Sequence, residues 1–199
     1  MRTIIYILAG VVVIVLAWFF FAQRELNRTQ DLIDADQHGL EVQISGVLAD
    51  IPGYLAIYNK YYSKAVDQSW AKELEQAAND CALALKTIGA TSKITTGEVD
   101  QLNSCLTKLY AAYQGTRDQI HIRDRSPAAL ADSDFVDKTR RMGVKFDDLT
   151  RKLDQINASM DWFIKQAIGF PTNIVADMLG FPKWKRYYDN GNIRYPLSN

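Results

Sequence analysis

The side chains best suited to redox or metal chemistry in this 199-residue sequence are two cysteines and two histidines. Their spacing allows a disulfide between the cysteines but fits no metal site. Cys81 stands twelve residues before Lys93 and Cys105 twelve residues after it, with Lys93 near the middle of the turn-forming stretch GATSKITTG. If helices flank that turn, the hairpin brings both cysteines to one height, and a bridge then needs Cα atoms within about 7 Å. The other reading is a pair of small buried thiols, because neighbouring helix axes stand about 8–10 Å apart. A bridge would put this part of the chain in an oxidising compartment.

His38 and His121 lie in no metal-binding motif, and neither has a Glu three residues before it, as a helical di-iron site requires. There is no Gly-x-Ser-x-Gly elbow and no glycine-rich phosphate loop. The acidic residues Asp137, Asp147, Asp148 and Asp154 fall along one helical pattern and read as a solvated face. The expectation is a chain without a catalytic site, a metal or a cofactor.

The elements that would position these residues are helical. Residues 3–22, TIIYILAGVVVIVLAWFFFA, carry no charge. At ~1.5 Å rise per residue they match the ~30 Å hydrocarbon core of a bilayer. The run ends in Trp18, Phe19, Phe20 and Phe21, suited to an interfacial belt and unlike the small residues of a signal-peptide cleavage site. Charge barely orients the span, since Arg2 faces Arg24 and Arg28. The cysteines tip the reading towards a bundle on the periplasmic or outer side of a bacterial inner membrane.

All other charged residues follow the span, 23 basic and 23 acidic residues in the whole chain, so nothing draws the protein to nucleic acid. Four amphipathic stripes follow. Leu40, Ile44, Val47, Ile51, Leu55, Tyr58, Tyr62 and Ala65 form the first, which continues the span from about Gln23 and should kink at Pro52. Trp70, Leu74, Ala77, Cys81, Ala84 and Ile88 form the second, followed by a turn between Gly89 and Gly97. Val99, Leu102, Leu106, Leu109 and Tyr113 form the third, fading near Ile120. Ser126 before Pro127 starts a short helix.

The fourth stripe keeps a seven-residue repeat through Phe135, Met142, Phe146, Leu149, Leu153, Ile156, Met160, Phe163 and Ala167, interrupted at Thr139 and capped by Asp132 or Ser133. The fold expected is all-α: an N-terminal transmembrane anchor (1–22), a long antiparallel up-down four-helix bundle (23–168), and a short C-terminal helix with a basic aromatic tail (169–199) at the membrane-proximal end. Tyr54, Tyr61 and Tyr62 around Pro52 would offer an exposed contact patch for self-association.

Gly169-Phe170-Pro171 and Gly180-Phe181-Pro182 repeat eleven residues apart. They bracket a helix that starts at Pro171 or Thr172, is capped near Thr172 or Asn173, and shows Ile174, Val175, Met178 and Leu179 on one side. Phe170, Pro171, Thr172, Asn173, Ala176, Gly180 and Phe181 resemble the C-terminal pattern of the LemA family of bacterial membrane-anchored helical proteins. Asn157 falls at the Asn of that family's Tyr-Asn pair, with Ile156 in place of the Tyr. Pro52 belongs to a similar Ile-Pro helix, although the family's preceding basic pair is replaced by Gly46, Val47, Leu48, Ala49 and Asp50. The resemblance implies an up-and-down bundle without established catalytic residues, linked to envelope protein quality control and membrane organisation.

A helix rising from the bilayer and three more alternating in direction would return the chain to the membrane after Ala167. There Lys183, Trp184, Lys185, Arg186 and Tyr187, with Trp18 on the anchor, have the composition of a lipid-headgroup contact. The competing reading has Phe170, Phe181 and Trp184 closing the bundle core. Expected partners are membrane lipid, an envelope or membrane protein such as a membrane protease, and a second copy of the chain. A ligand-binding or sensory periplasmic bundle is the alternative function.

Overall fold

The computed structural model describes residues 2–62, 69–88, 96–123, 126–169 and 171–181. Among these residues every regular element is helical: α1 Arg2–Tyr62, α2 Ser69–Ile88, α3 Thr96–Asp118, a π-helical turn Gln119–Arg123, α4 Pro127–Ala131, α5 Ser133–Ile168 and α6 Thr172–Leu179. The protein is all-α, as its helical periodicity requires. It forms two compact units, Met1–Gln37 with Gln155–Arg186, and His38–Asp154 with Tyr187–Asn199. The sequence boundaries at 22 and 168 follow composition, whereas these units follow packing.

In the larger unit four helices alternate in direction. Lys145 on α5 donates to the Gly46 carbonyl (2.9 Å) and pairs with Asp50 (2.6 Å), while Tyr61 meets Phe135 edge-on with centroids 5.4 Å apart. Residue numbers rise on α1 as they fall on α5, so the two run antiparallel. Cys81 faces Cys105 across α2 and α3, and Tyr110 and Tyr113 of α3 meet Phe146 of α5. The stripes are the buried faces: Leu40, Ile44, Val47, Leu74, Leu106, Leu109, Leu149 and Ile156 are fully enclosed within their units.

Aromatic rings fill much of the interior of this unit. Tyr54, Tyr58 and Tyr62 stand a turn apart on α1, with centroids 6.1 and 5.0 Å apart, and Tyr113 lies flat against Phe146 at 3.9 Å. Tyr54 and Tyr62 are therefore buried, at 2% and 1% exposure, not the exposed patch expected around Pro52. The physical reason is their step of three or four residues from Ile51 and Tyr58, which puts both rings on the core side of the helix. Tyr61 is half-buried. The Tyr54 hydroxyl donates to Thr116 Oγ1 (3.1 Å), which donates to the Tyr113 carbonyl (2.7 Å), so this polar tip is satisfied inside the core.

Gly115 shows how tightly α2 and α3 approach. A Cβ there would collide with the indole of Trp70, a rigid ring that cannot bend away as a lysine tail would. Gly115→Ala is expected to lower stability by about 1–3 kcal/mol through overpacking, despite alanine's better helix propensity. Gly46 and Gly53 on α1 have open space where a Cβ would go. Their replacement by Ala should instead stabilise by roughly 0.5–1 kcal/mol each. Denaturant midpoints of the three variants, compared with wild type, check both signs.

The smaller unit has a buried seam of its own on α1. Ala22, Leu26, Thr29 and Ile33 are buried at steps of three and four. Thr29 donates to Gln166 Oε1 (3.3 Å), and Asp36 accepts from Gln155 Nε2 (2.6 Å) and Ser159 Oγ (2.8 Å). These bonds set an antiparallel register between α1 and the last four turns of α5. The chain then turns at Gly169, and Phe181 beyond α6 returns to meet Phe163 with ring centroids 5.9 Å apart.

Local chemistry differs from expectation at two helix ends. Gly97 lies inside α3, which begins at Thr96, so it does not close the α2–α3 turn. Neither Thr172 nor Asn173 caps α6: the cap position is Pro171, without a side-chain hydrogen bond, and the Asn173 N–H bonds instead to the Gly169 carbonyl (3.0 Å). Gly180 ends α6 in the left-handed conformation (φ 67°), with its N–H and that of Phe181 bonded back to the last turn.

Candidate functional site

Chemistry-bearing side chains are sparse and scattered. His38 is exposed on α1, 3.8 Å from Glu41, and His121 is exposed on the π-helical turn. Among the described residues no three His, Cys, Asp or Glu side chains cluster as a metal site would need. On α5, Asp137 pairs with Arg140 (2.9 Å) and Arg141 (2.6 Å), and Asp148 pairs with Arg151, so these two members of the acidic series are charge-paired at the surface. Burial pushes the Tyr113 phenol up to about 12 and Tyr54 higher still, so both stay neutral core groups at physiological pH.

Cys81 and Cys105 form a disulfide with Cα atoms 5.2 Å apart. Helix axes at ordinary spacing would hold many facing pairs farther apart than this. Small neighbours let α2 and α3 close in, with Ala77 and Ala84 one turn either side of Cys81 and Gly115 under Trp70. Beside the bridge, Asp80, Leu83, Thr87, Gln101, Ser104 and Lys108 line a shallow groove, spanned by Lys108 and Asp80 at 3.9 Å.

Asp132 is the polar junction of the larger unit. Its Oδ1 accepts from the backbone N–H of Asp134 (2.9 Å) and Phe135 (3.4 Å), capping α5, while Oδ2 accepts from the Tyr61 hydroxyl and from Lys60 Nζ (2.9 Å). One carboxylate thus ties the end of α1 to the start of α5. The Tyr61 hydroxyl first, then Lys60, hold the Asp132 carboxyl well below the usual carboxylate range. A depressed folded-state pKa adds stability above the unfolded value of about 4, and that stability fades as pH falls towards the folded value. Asp132→Asn keeps a capping oxygen but not the charge. The urea-midpoint gap between wild type and this variant should be constant from about pH 7 to 5 and close only below about pH 4.

The remaining sequence candidates fall mostly in the smaller unit. Trp18 is half-buried at the end of the apolar run, Asn157 is on α5, Thr172, Asn173 and the buried Ala176 are on α6, and Gly180 and Phe181 close that helix. Asn157 Oδ1 and Asn173 Oδ1 are buried without a hydrogen-bond partner among the described residues. Pro52 sits exposed inside α1, in the larger unit, with helix on both sides. Phe170, Lys183, Trp184, Lys185, Arg186 and Tyr187 lie outside the described residues.

The first helix carries the feature with the plainest physical meaning. Its N-terminal part is long and apolar enough to cross a membrane, and only 6% of its most apolar window is buried by the rest of the protein. Tyr6, Ile7, Leu8, Val13, Ile14 and Phe20 are each at least 60% exposed. No family model matches this chain, and no curated protein or solved structure is detectably similar to it.

Proposed function

We propose that the protein is a non-enzymatic, single-pass membrane-anchored scaffold or accessory protein of the bacterial envelope. The observation that carries this reading is the exposed apolar N-terminal segment of α1. A soluble protein's core helix is covered by its neighbours, whereas this one is bare. Thirteen Ile, Leu, Val and Phe residues between 3 and 22 favour insertion by roughly 4–8 kcal/mol in total, with no charged residue to oppose it.

The anchor confines the helical bundle to the plane of the inner membrane, where its helix faces meet protein partners. A membrane protease or another envelope protein suits an accessory role, and a second copy suits a scaffold. The order of motifs shared in outline with the LemA family supports a link to membrane protein quality control. The buried disulfide supports a bundle on the periplasmic or outer side, since bridges persist where thiols are not kept reduced. The basic aromatic tail, residues 183–188, completes the reading as a headgroup contact.

Crosslinking in the native membrane, followed by identification of what is attached, tests this. Recovery of a protease supports the accessory role, and recovery of the chain alone supports a scaffold. Failure of the chain to sediment with membranes at all would remove the proposal. A ligand-binding or sensory bundle draws support from one feature: Gln119 Oε1, at the π-helical turn, is buried without a hydrogen-bond partner among the described residues. Loss of ligand-dependent thermal shifts in Gln119→Leu would favour that reading.

A further inference from the structure

The apolar surface around α6 belongs to the same compact unit as the anchor. Thr29 pairs with Gln166, and Ala22 is seven residues before Thr29, about 10 Å along the helix. Ile168, two residues beyond Gln166, continues α5 towards that level. The burial of α1 changes at this height. Residues 6–17 are all exposed, Trp18 and Phe19 are half-buried, and Ala22 is 4% exposed. The apolar run thus begins to be covered at its last turn, where the headgroup layer, about 6 Å thick on each side, would begin.

α6 buries Val175 and Ala176 but leaves Ile174, Met178 and Leu179 exposed, and Ile168 beside it is 69% exposed. An aqueous surface gains nothing from such a face, and the anchor whose apolar side chains are bare belongs to the same compact unit. We propose that the α5–α6 corner, through Ile168, Ile174 and Met178, rests in the interfacial layer of the membrane that α1 spans. The chain then has two membrane contacts: a spanning helix, and a short amphipathic helix lying at the headgroup boundary. This rests on the membrane reading of α1. The second contact orients the α5–α6 hairpin against the bilayer, which a single span, free to tilt and rotate, does not do.

The test places an environment-sensitive fluorophore on the full-length chain, reconstituted in vesicles of phosphatidylethanolamine and phosphatidylglycerol. Separate variants Met178→Cys, Ile174→Cys, Ile14→Cys and Leu83→Cys are labelled, the native cysteines being held in their disulfide. Quenching by lipids spin-labelled near the headgroup should be several-fold stronger at 178 and 174 than at 83, which is exposed on α2. Quenching at 178 and 174 no stronger than at 83, with 14 strongly quenched by chain-labelled lipid, overturns the proposal but leaves the anchor intact. No lipid quenching at 14 overturns the anchor itself. Shielding of 178 from aqueous iodide without lipid quenching means that protein covers the face, which also overturns the proposal. Two α6 positions guard against one variant that misfolds, with helical content measured by circular dichroism on each.

Discussion

Phe146→Ala is expected to lower the stability of the helical bundle by about 3–5 kcal/mol, the cost of removing a fully enclosed aromatic ring. Phe146 is 2% exposed on α5, stacked on Tyr113 with ring planes 3° apart and met edge-on by Tyr110 at 5.1 Å. Both partners belong to α3, so truncation opens a cavity at the contact between two helices far apart in sequence. Each aromatic pair adds about 0.5–1.5 kcal/mol beyond area burial, and both are lost together. Guanidinium unfolding in detergent micelles measures the change. Phe146→Leu should keep much of the volume and cost distinctly less. A shift below about 1 kcal/mol for the alanine variant would mean that the stack does not hold α3 to α5.

The second large effect is that of the disulfide. Cys81 and Cys105 are separated by 24 residues, and closing a loop of that size restricts the unfolded chain enough to stabilise by about 3 kcal/mol. Replacing both residues with alanine leaves small side chains on the same faces, so most of the loss should come from the missing crosslink. The midpoint of thermal unfolding should fall, and reduced wild type should match the double variant. A bridged cysteine carries no thiol, so neither sulfur should react with an alkylating reagent, even in the unfolded chain, until the bond is reduced. Full alkylation of both thiols without reductant would contradict the bridge and remove the support it gives for an external bundle.

The helical repeat of α5 is legible because its core positions are nearly all large and apolar: Phe135, Met142, Phe146, Leu149, Leu153, Ile156, Met160 and Phe163 are all buried. The seam of α1 between Ala22 and Leu40 is harder to read, because polar Thr29 and Gln37 occupy two core positions at 3% and 1% exposure. Such residues weaken an apolar stripe while fixing its register. Tyrosine is ambiguous for a related reason: a phenol suits either a wet surface or a core with a partner for its hydroxyl, and only the Thr116 contact decides for Tyr54.

Long-range relations had no local signal. The cap at Asp132 follows from its place before an apolar repeat, but Tyr61 and Lys60, the α1 residues that share its carboxylate, are 71 and 72 residues away. Gly115 carries no mark in sequence that Trp70 will lie against it. Around α6 the composition revealed an apolar helix, but which side is covered depends on packing: Val175 is buried whereas Ile174, Met178 and Leu179 are not.

Residues 3–22 are expected to hold the protein in a bilayer as an uncleaved span. Carbonate extraction of membranes carrying the full-length chain, with intact-mass analysis of the retained protein, tests it most directly. Strong alkali ionises tyrosines, and the stability that buried Tyr54 and Tyr113 add as neutral phenols is lost as pH rises above about 10, which weakens the folded bundle while leaving the uncharged span unchanged. The expected result is a chain of 22.5 kDa that stays in the pellet with its N-terminal segment present. Release of the intact chain into the supernatant, or recovery of a shortened chain lacking the apolar run, would contradict the claim.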